Sequence, residues 1–184
     1  MNPARVALAV LVWSGVLLQL WLSCRLALAN GKSLADGLIV YFGYYTVLTN
    51  ILVALVLTSS LFVRHTAFTR LFANAQVWGC AATSIALVGL AYHFLLRGIW
   101  QPQGLQWLAD FLLHYATPVL FSVSWVFLPS RYRLRWWSPF IWCVYPGCYF
   151  VYALIRGHLL GTYPYPFIDV TALGYGAVLL NALG

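Results

Sequence analysis

The sequence predicts an all-α, polytopic integral membrane protein built as a bundle of six transmembrane helices. Of its 184 residues, 63% are hydrophobic and 7% are charged, whereas a soluble domain carries about 25% charged residues. Six long apolar segments are separated by short loops that hold most of the basic residues. We therefore expect a single transmembrane domain over residues 1–184 and no separate soluble domain.

The net charge of +7 does not indicate nucleic-acid binding. The basic residues lie mainly in short loops between apolar segments, where lysine and arginine set the orientation of membrane helices. The chain also lacks an internal repeat and a glycine-rich phosphate-binding motif. We predict membrane lipids as the surroundings, no nucleic-acid partner, and no cofactor.

The six predicted spans cover about 6–26, 36–63, 73–96, 105–128, 136–155 and 169–184. A signal peptide is the alternative interpretation of the first span, because Ala27-Leu28-Ala29 resembles a cleavage site. Its apolar run exceeds the usual ~7–15 residues, however, and Arg25 lies too close to the potential cut. We predict a retained helix.

Span two is unusually long. Its 28 residues would extend about 42 Å as one helix, against a hydrocarbon core of about 30 Å. We expect either that its first two turns project beyond the hydrocarbon or that the helix tilts. Further distortion is expected at Pro118 in span four and at Pro146 in span five, because proline removes a backbone hydrogen bond.

Six spans place both termini on one side of the membrane. Six basic residues fall on that side and four lie on or near the other, which predicts cytoplasmic termini. The first group is Arg5, Arg64, Arg70, Arg131, Arg133 and Arg135, and the second is Arg25, Lys32, Arg97 and Arg156. The three acidic residues, Asp36, Asp110 and Asp169, lie near the outer starts of spans two, four and six. Helix capping is the simplest account of them, although Asp110 and Asp169 are also candidates for a site.

A polar face in span two indicates an intramembrane site. Thr46, Thr49 and Asn50 are spaced i, i+3 and i+4, so they share one face of a helix. Polar groups in hydrocarbon are costly unless they are satisfied, and they usually face a bundle interior or a cavity. We expect this face to look into a site whose partner is His114 in span four.

Depth along the helices pairs Thr46 with His114. Thr46 lies 18 residues from Arg64, or about 27 Å up span two, and His114 lies 17 residues from Arg131, or about 26 Å up span four. Both side chains are therefore expected at one level, towards the outer leaflet. A hydroxyl and an imidazole at one depth on two helices match a nucleophile and its general base.

Asp110 precedes His114 by four residues and shares its helix face. Its carboxylate is therefore a candidate to hold one ring nitrogen and leave the other facing Thr46, as in a catalytic triad. The structural alternative is that the threonine bonds its own i−4 carbonyl and that the buried histidine serves only as a hydrogen-bonding group. The sequence leaves both interpretations open.

His93 is a rival imidazole in span three, four residues before Arg97. It could serve a site that opens outward, or it could lie at the membrane interface. A metal site is the weaker interpretation, because zinc usually takes three or four ligands and only His93, His114 and Asp110 are suitable neighbours. We predict no bound metal.

Three short motifs resemble a known family. They are Tyr-Tyr-Thr-Val-Leu-Thr-Asn at 44–50, Asp-Phe-Leu-Leu-His-Tyr-Ala-Thr-Pro at 110–118, and Tyr-Pro-Tyr-Pro-Phe-Ile-Asp at 163–169. In this order the chain resembles bacterial multi-pass relatives of the androgen-induced and androgen-dependent membrane hydrolases. The resemblance in span layout covers nearly the whole chain, and it implies an integral protein of the bacterial inner membrane.

The resemblance also implies an activity. Animal members of that family are threonine hydrolases that cleave fatty acid esters of hydroxy fatty acids, and their threonine and histidine match Thr46 and His114. If the motif is aligned with the family in another register, Thr49 instead of Thr46 matches the family's threonine. From helical position, we expect the oxyanion donors among Asn50, Thr49 and Tyr45. Two other hypotheses remain: a non-enzymatic lipid-binding or transport protein, and a structural protein whose polar residues join helices.

Overall fold

The computed structural model describes residues 2–62, 66–99, 101–127 and 134–183, and this part of the chain is helical, with no strand. It contains ten α-helices. They are α1 (Pro3–Ala29), α2 (Leu34–Gly43), α3 (Tyr45–Ser59), α4 (Ala67–Phe72), α5 (Ala75–Ala91), α6 (Leu105–Phe111), α7 (Thr117–Val126), α8 (Ser138–Trp142), α9 (Val144–Leu160) and α10 (Val170–Leu183).

Several of these helices are able to span a membrane. Pro3–Ala29, Ala75–Leu96 and Ser138–Leu160 are long and apolar enough, and the bent pair α2–α3 raises the count to four if it forms one span. The predicted count of six is therefore not confirmed. Span six, for example, is a shorter apolar helix that is kinked at Gly174.

Some sequence predictions fall on residues outside the described ranges. They are the end of span two at Val63, the end of span four at Leu128, and the basic residues Arg64, Arg131 and Arg133. Two of these, Arg64 and Arg131, were the reference points for depth along the helices.

Predicted span two is not one helix. It divides at Tyr44 into α2 and α3, whose axes differ in direction by 82°. Tyr44 takes an extended conformation, with φ −93° and ψ 131°, and neither residue beside it is proline. The expected long helix, projecting or tilted, is thus replaced by two short helices that meet at a sharp corner.

Helix α9 satisfies the carbonyls that this corner exposes. The Tyr149 hydroxyl donates to the Gly43 carbonyl at 2.9 Å, the Tyr152 hydroxyl donates to the Phe42 carbonyl at 3.2 Å, and the Arg156 guanidinium donates to the Ile39 carbonyl at 3.2 Å. The last carbonyls of a helix have no partner inside it, and in hydrocarbon they need one from the protein.

A tight contact also fixes the end of α2. A Cβ atom on Gly43 would lie 2.8 Å from Cζ of Arg156, so only glycine allows the guanidinium to approach this closely. The start of α2 is held differently, by a capping box in which Ser33 and Asp36 bond each other's backbone N–H groups. Asp36 is therefore a capping residue.

Two single π-helical turns interrupt the helical segments that carry His93 and His114. One covers Tyr92–Leu96 at the end of α5, and the other covers Leu112–Ala116 between α6 and α7. The second turn lies just before Pro118, which cannot donate to the carbonyl of His114 and whose ring would crowd it. A π turn at that point relieves the conflict, and such turns are frequent at functional sites.

Helix α3 lies at the centre of the packing, against α1 and α5, while α5 also packs against α7. Two thirds of the residues of α3 are buried, among them Thr46, Thr49 and Asn50. Helix α9, by contrast, buries only Ala153 and Gly157 fully. Its exposed apolar surface is suited to lipid.

Candidate active site

Thr46 lies in the first turn of α3, directly after the break at Tyr44. Its side chain is buried, and it forms part of the wall of a cavity of about 660 Å³. The hydroxyl contacts the side chains of His114 and Tyr165. The break thus brings a hydroxyl to a helix N-terminus, where backbone N–H groups lack intrahelical acceptors.

The imidazole of His114 connects Thr46 to Asp110. Nε2 of His114 lies 3.3 Å from Oγ1 of Thr46, and Nδ1 lies 3.2 Å from Oδ1 of Asp110 and 3.1 Å from its backbone carbonyl. Both neighbours of Nδ1 are acceptors, so the hydrogen-bond network assigns the ring proton to Nδ1. Nε2 is then unprotonated and able to accept the hydroxyl proton of Thr46.

Tyr92 supports this arrangement from the end of α5. Its hydroxyl donates to Oδ2 of Asp110 at 2.6 Å, and its ring stacks on that of His114 with centroids 3.9 Å apart and planes 17° apart. Asp110 is therefore bonded through both carboxylate oxygens. The imidazole is held from its edge by the carboxylate and from its face by the phenol ring.

Tyr165 approaches Thr46 from the connection between α9 and α10. Its hydroxyl accepts from the backbone N–H of Thr46 at 3.3 Å and lies 3.4 Å from Oγ1 of the same residue. Burial raises the pKa of Tyr165, although its bonds to Thr46 partly offset this. The phenol therefore remains protonated, with a hydrogen to donate.

The other candidate residues on α3 are engaged elsewhere. The amide nitrogen of Asn50 donates to the carbonyls of Thr46 and Leu113, and the hydroxyl of Thr49 pairs with that of Tyr145 at 3.2 Å. The ring of Tyr45 packs between aromatic rings of α9. None of these three contacts Oγ1 of Thr46 within the described residues; Asn50 instead ties α3 to the π turn that carries His114.

His93 is placed away from this cluster. Nε2 of His93 lies 3.4 Å from the Arg97 guanidinium, and the residue is not part of the cavity wall. In the described ranges, no group of three or more His, Cys, Asp or Glu side chains lies close enough to hold a metal ion.

The cavity extends from Thr46 between α1, α2, the two π turns and the Tyr165 connection. Its surface is mostly apolar around Leu22, Val40, Leu96 and Leu113. Polar groups are found in a smaller part of the wall, where the side chains of Gln19, Ser23 and Gln106 are bonded to one another. An elongated, largely apolar molecule with a polar group at Thr46 suits this space.

Sequence reasoning missed Tyr92, Tyr165 and the break at Tyr44. Neither phenol was assigned a role at Thr46, although Tyr165 lies inside the motif at 163–169. The break had one local signal, the run Tyr41-Phe42-Gly43-Tyr44-Tyr45, in which glycine and four aromatic residues all have low helix propensity. Because the run is apolar, hydropathy does not separate it from the rest of the span.

No protein-family model matches the chain, and no curated protein or solved structure matches it. Function is therefore inferred from the geometry of the Thr46 site together with the three sequence motifs.

Proposed function

We propose that this protein is an intramembrane threonine hydrolase that cleaves lipid esters. One observation carries the proposal: Oγ1 of Thr46 lies 3.3 Å from Nε2 of His114, whose Nδ1 is held by Asp110, at the wall of a mostly apolar cavity. A nucleophile, a base and an orienting group that are hydrogen-bonded in that order form the arrangement that activates a hydroxyl.

The first half of the reaction transfers the acyl group to Thr46. Oγ1 attacks the ester carbonyl carbon while Nε2 of His114 takes the hydroxyl proton, and a tetrahedral intermediate forms. The intermediate collapses with cleavage of the bond from carbon to the leaving oxygen. His114 returns its proton to that oxygen, the alcohol leaves, and the acyl group remains on Thr46.

The second half restores the enzyme. Water attacks the acyl carbonyl and gives one proton to Nε2 of His114. The bond between the acyl carbon and Oγ1 then breaks, Oγ1 regains a proton from His114, and the carboxylic acid is released. Asp110 accepts a hydrogen bond from Nδ1–H throughout and stabilises the imidazolium that forms in each half.

The substrate class follows from the cavity and from the resemblance. A mostly apolar space of about 660 Å³ suits a lipid ester that enters sideways from the bilayer. Fatty acid esters of hydroxy fatty acids are the specific candidates that the family resemblance implies. The proposed setting is the bacterial inner membrane, with the N-terminus in the cytoplasm and the site towards the outer leaflet.

A second candidate function is non-enzymatic lipid binding or transport. The observation that favours it is the 82° break between α2 and α3 beside the site, because broken helices near a binding site are typical of transporters. A purely structural role has less support. It leaves the cavity unexplained, and the Thr46 hydroxyl contacts His114 and Tyr165 rather than a backbone carbonyl.

The proposal is tested by ester hydrolysis with detergent-purified protein. The substrates are a panel of lipid esters that includes fatty acid esters of hydroxy fatty acids, and the variants are Thr46→Ala and His114→Ala. Thr58→Ala is the matched control on the same helix, because its hydroxyl bonds Trp13 and the Ala54 carbonyl instead. We expect turnover only in the unmutated protein and the control.

Two outcomes separate the alternatives. Turnover that survives Thr46→Ala but is lost in Thr49→Ala would move the nucleophile to Thr49. No turnover by the unmutated protein on any ester, together with a co-purifying lipid, would favour the binding or transport function.

A further inference from the structure

The phenol of Tyr165 is placed at the reacting end of Thr46 by a rigid segment of chain. Tyr165 is flanked by Pro164 and Pro166, and its backbone is extended, with φ −136° and ψ 143°, as expected before proline. Its ring stacks on that of Phe167 with centroids 5.2 Å apart. The side chain is 9% exposed, and it belongs to the cavity wall.

The directions of the hydrogen bonds leave the phenol hydrogen available. The backbone N–H of Thr46 donates to the Tyr165 oxygen at 3.3 Å, so the phenol acts as an acceptor in that contact. The Thr46 hydroxyl has its own acceptor in Nε2 of His114. The O–H of Tyr165 is therefore free to point towards Oγ1 of Thr46, 3.4 Å away, or into the cavity beside it.

We propose that Tyr165 is the side-chain donor of the oxyanion hole. The inference rests on the proposed hydrolase function. When Oγ1 of Thr46 bonds to the ester carbon, the carbonyl oxygen becomes the oxyanion. This oxygen is separated from Oγ1 by two bonds. The phenol oxygen lies 3.4 Å from Oγ1, so an oxyanion on its side of the ester carbon falls within the ~2.7–3.1 Å that such stabilisation requires. Rotation of the O–H then directs the hydrogen at the oxyanion. The backbone N–H of Thr46 donates to the phenol oxygen and so makes the phenol O–H a stronger donor.

Of the three candidate donors on α3, Asn50 and Thr49 are committed elsewhere in the described residues, and Tyr45 is not part of the cavity wall. Both hydrogens of the Asn50 amide are used by the carbonyls of Thr46 and Leu113. The Thr49 hydroxyl pairs with Tyr145. The phenol of Tyr165 is the side-chain donor that reaches both the cavity and Oγ1 of Thr46.

The test compares Tyr165→Phe with Tyr163→Phe in the full-length, detergent-purified protein. Tyr163 is the matched control, because it lies two residues earlier, packs on Gly157 and is outside the cavity wall. Tyr165→Phe is expected to lower kcat by about 100-fold with KM nearly unchanged. Affinity for a long-chain trifluoromethyl ketone should fall in parallel, because this inhibitor forms the same oxyanion. Affinity for the fatty acid product should not change.

A second replacement, which preserves the shape of the side chain, tests the same role in case Tyr165→Phe does not fold. Incorporation of 3,5-difluorotyrosine at position 165 makes the phenol more acidic while it keeps the ring in place. The alkaline fall in kcat is then expected at lower pH than in the unmutated protein, because ionisation removes the donor. A role in packing alone would leave this pH profile unchanged.

Each outcome is decisive. If kcat and trifluoromethyl ketone affinity survive Tyr165→Phe while Thr46→Ala is inactive, the hydrolase stands and the role of Tyr165 is rejected. If kcat falls but ketone affinity does not, Tyr165 acts outside the oxyanion hole. If the unmutated protein hydrolyses no ester, both the hydrolase function and the role of Tyr165 are rejected.

Discussion

The ring of Tyr92 stacks on that of His114 with centroids 3.9 Å apart, while the Tyr92 hydroxyl donates to Asp110 at 2.6 Å. One side chain, from the π turn that follows α5, therefore fixes both the base and its orienting carboxylate. Both residues lie in π turns, one of which begins at Tyr92 while the other contains His114.

The Tyr92→Phe variant tests the bond to Asp110 and keeps the ring stack. We expect a loss of about 1.5–3 kcal/mol in the free energy of unfolding, because a buried carboxylate oxygen loses its partner, together with a lower kcat. Chemical denaturation and steady-state kinetics measure the two effects. Tyr115→Phe is the control, since Tyr115 contacts the Tyr92 ring only edge-on. Equal effects in both variants would contradict the assigned role.

The Asp110→Asn variant tests the orientation of the imidazole. In a serine protease triad the corresponding change lowers kcat about 10⁴-fold. Here the backbone carbonyl of Asp110 also lies 3.1 Å from Nδ1 and still accepts its proton after the substitution. We therefore expect a smaller loss, on the order of 10²-fold, in kcat with little change in KM. A variant as active as the unmutated protein would remove Asp110 from the mechanism.

Gly43→Ala tests the close contact at the helix break. The added Cβ would lie 2.8 Å from Cζ of Arg156, so the guanidinium has to move away and its bond to the Ile39 carbonyl is lost, at a cost of about 1 kcal/mol. We expect that loss of stability in a denaturation experiment. Gly147→Ala is the matched control, because nothing lies within 4 Å of its added Cβ and alanine favours the helix by about 0.5–1 kcal/mol. A neutral Gly43→Ala would show that the corner can relax.

Tyr149→Phe tests how α9 supports the corner. The variant leaves the Gly43 carbonyl without its donor, so we expect a loss of about 1 kcal/mol in stability and faster amide exchange at the start of α3. Because Thr46 lies in that turn, kcat should also fall. Tyr152→Phe removes a more exposed bond to the Phe42 carbonyl and should have the smaller effect. The reverse order would place the support elsewhere.

The contact between Thr46 and His114 agrees with the expectation from helix rise and from the family resemblance. Each residue lies a similar number of positions before the basic loop that follows its predicted span, so counting residues along the helices gave similar depths. The contact with Asp110 followed equally simply from the i, i+4 spacing.

The break at Tyr44 could not be predicted in the same way. Its stabilising donors, Tyr149, Tyr152 and Arg156, lie more than 100 residues away in the chain. The position of Tyr165 has the same origin, because its partner Thr46 is 119 residues distant. Tertiary contacts of this kind override the local apolar pattern, and no periodicity in the sequence encodes them.

Covalent labelling of Thr46 is the most direct test of the central claim. The purified protein would be treated with a long-chain alkyl fluorophosphonate, and the modified peptide would be identified by mass spectrometry. We predict one label, on Thr46, that is lost in His114→Ala and kept in His93→Ala. A label on Thr49 or on another residue, or full ester hydrolysis after complete labelling of Thr46, would contradict the assignment of Thr46 as the nucleophile.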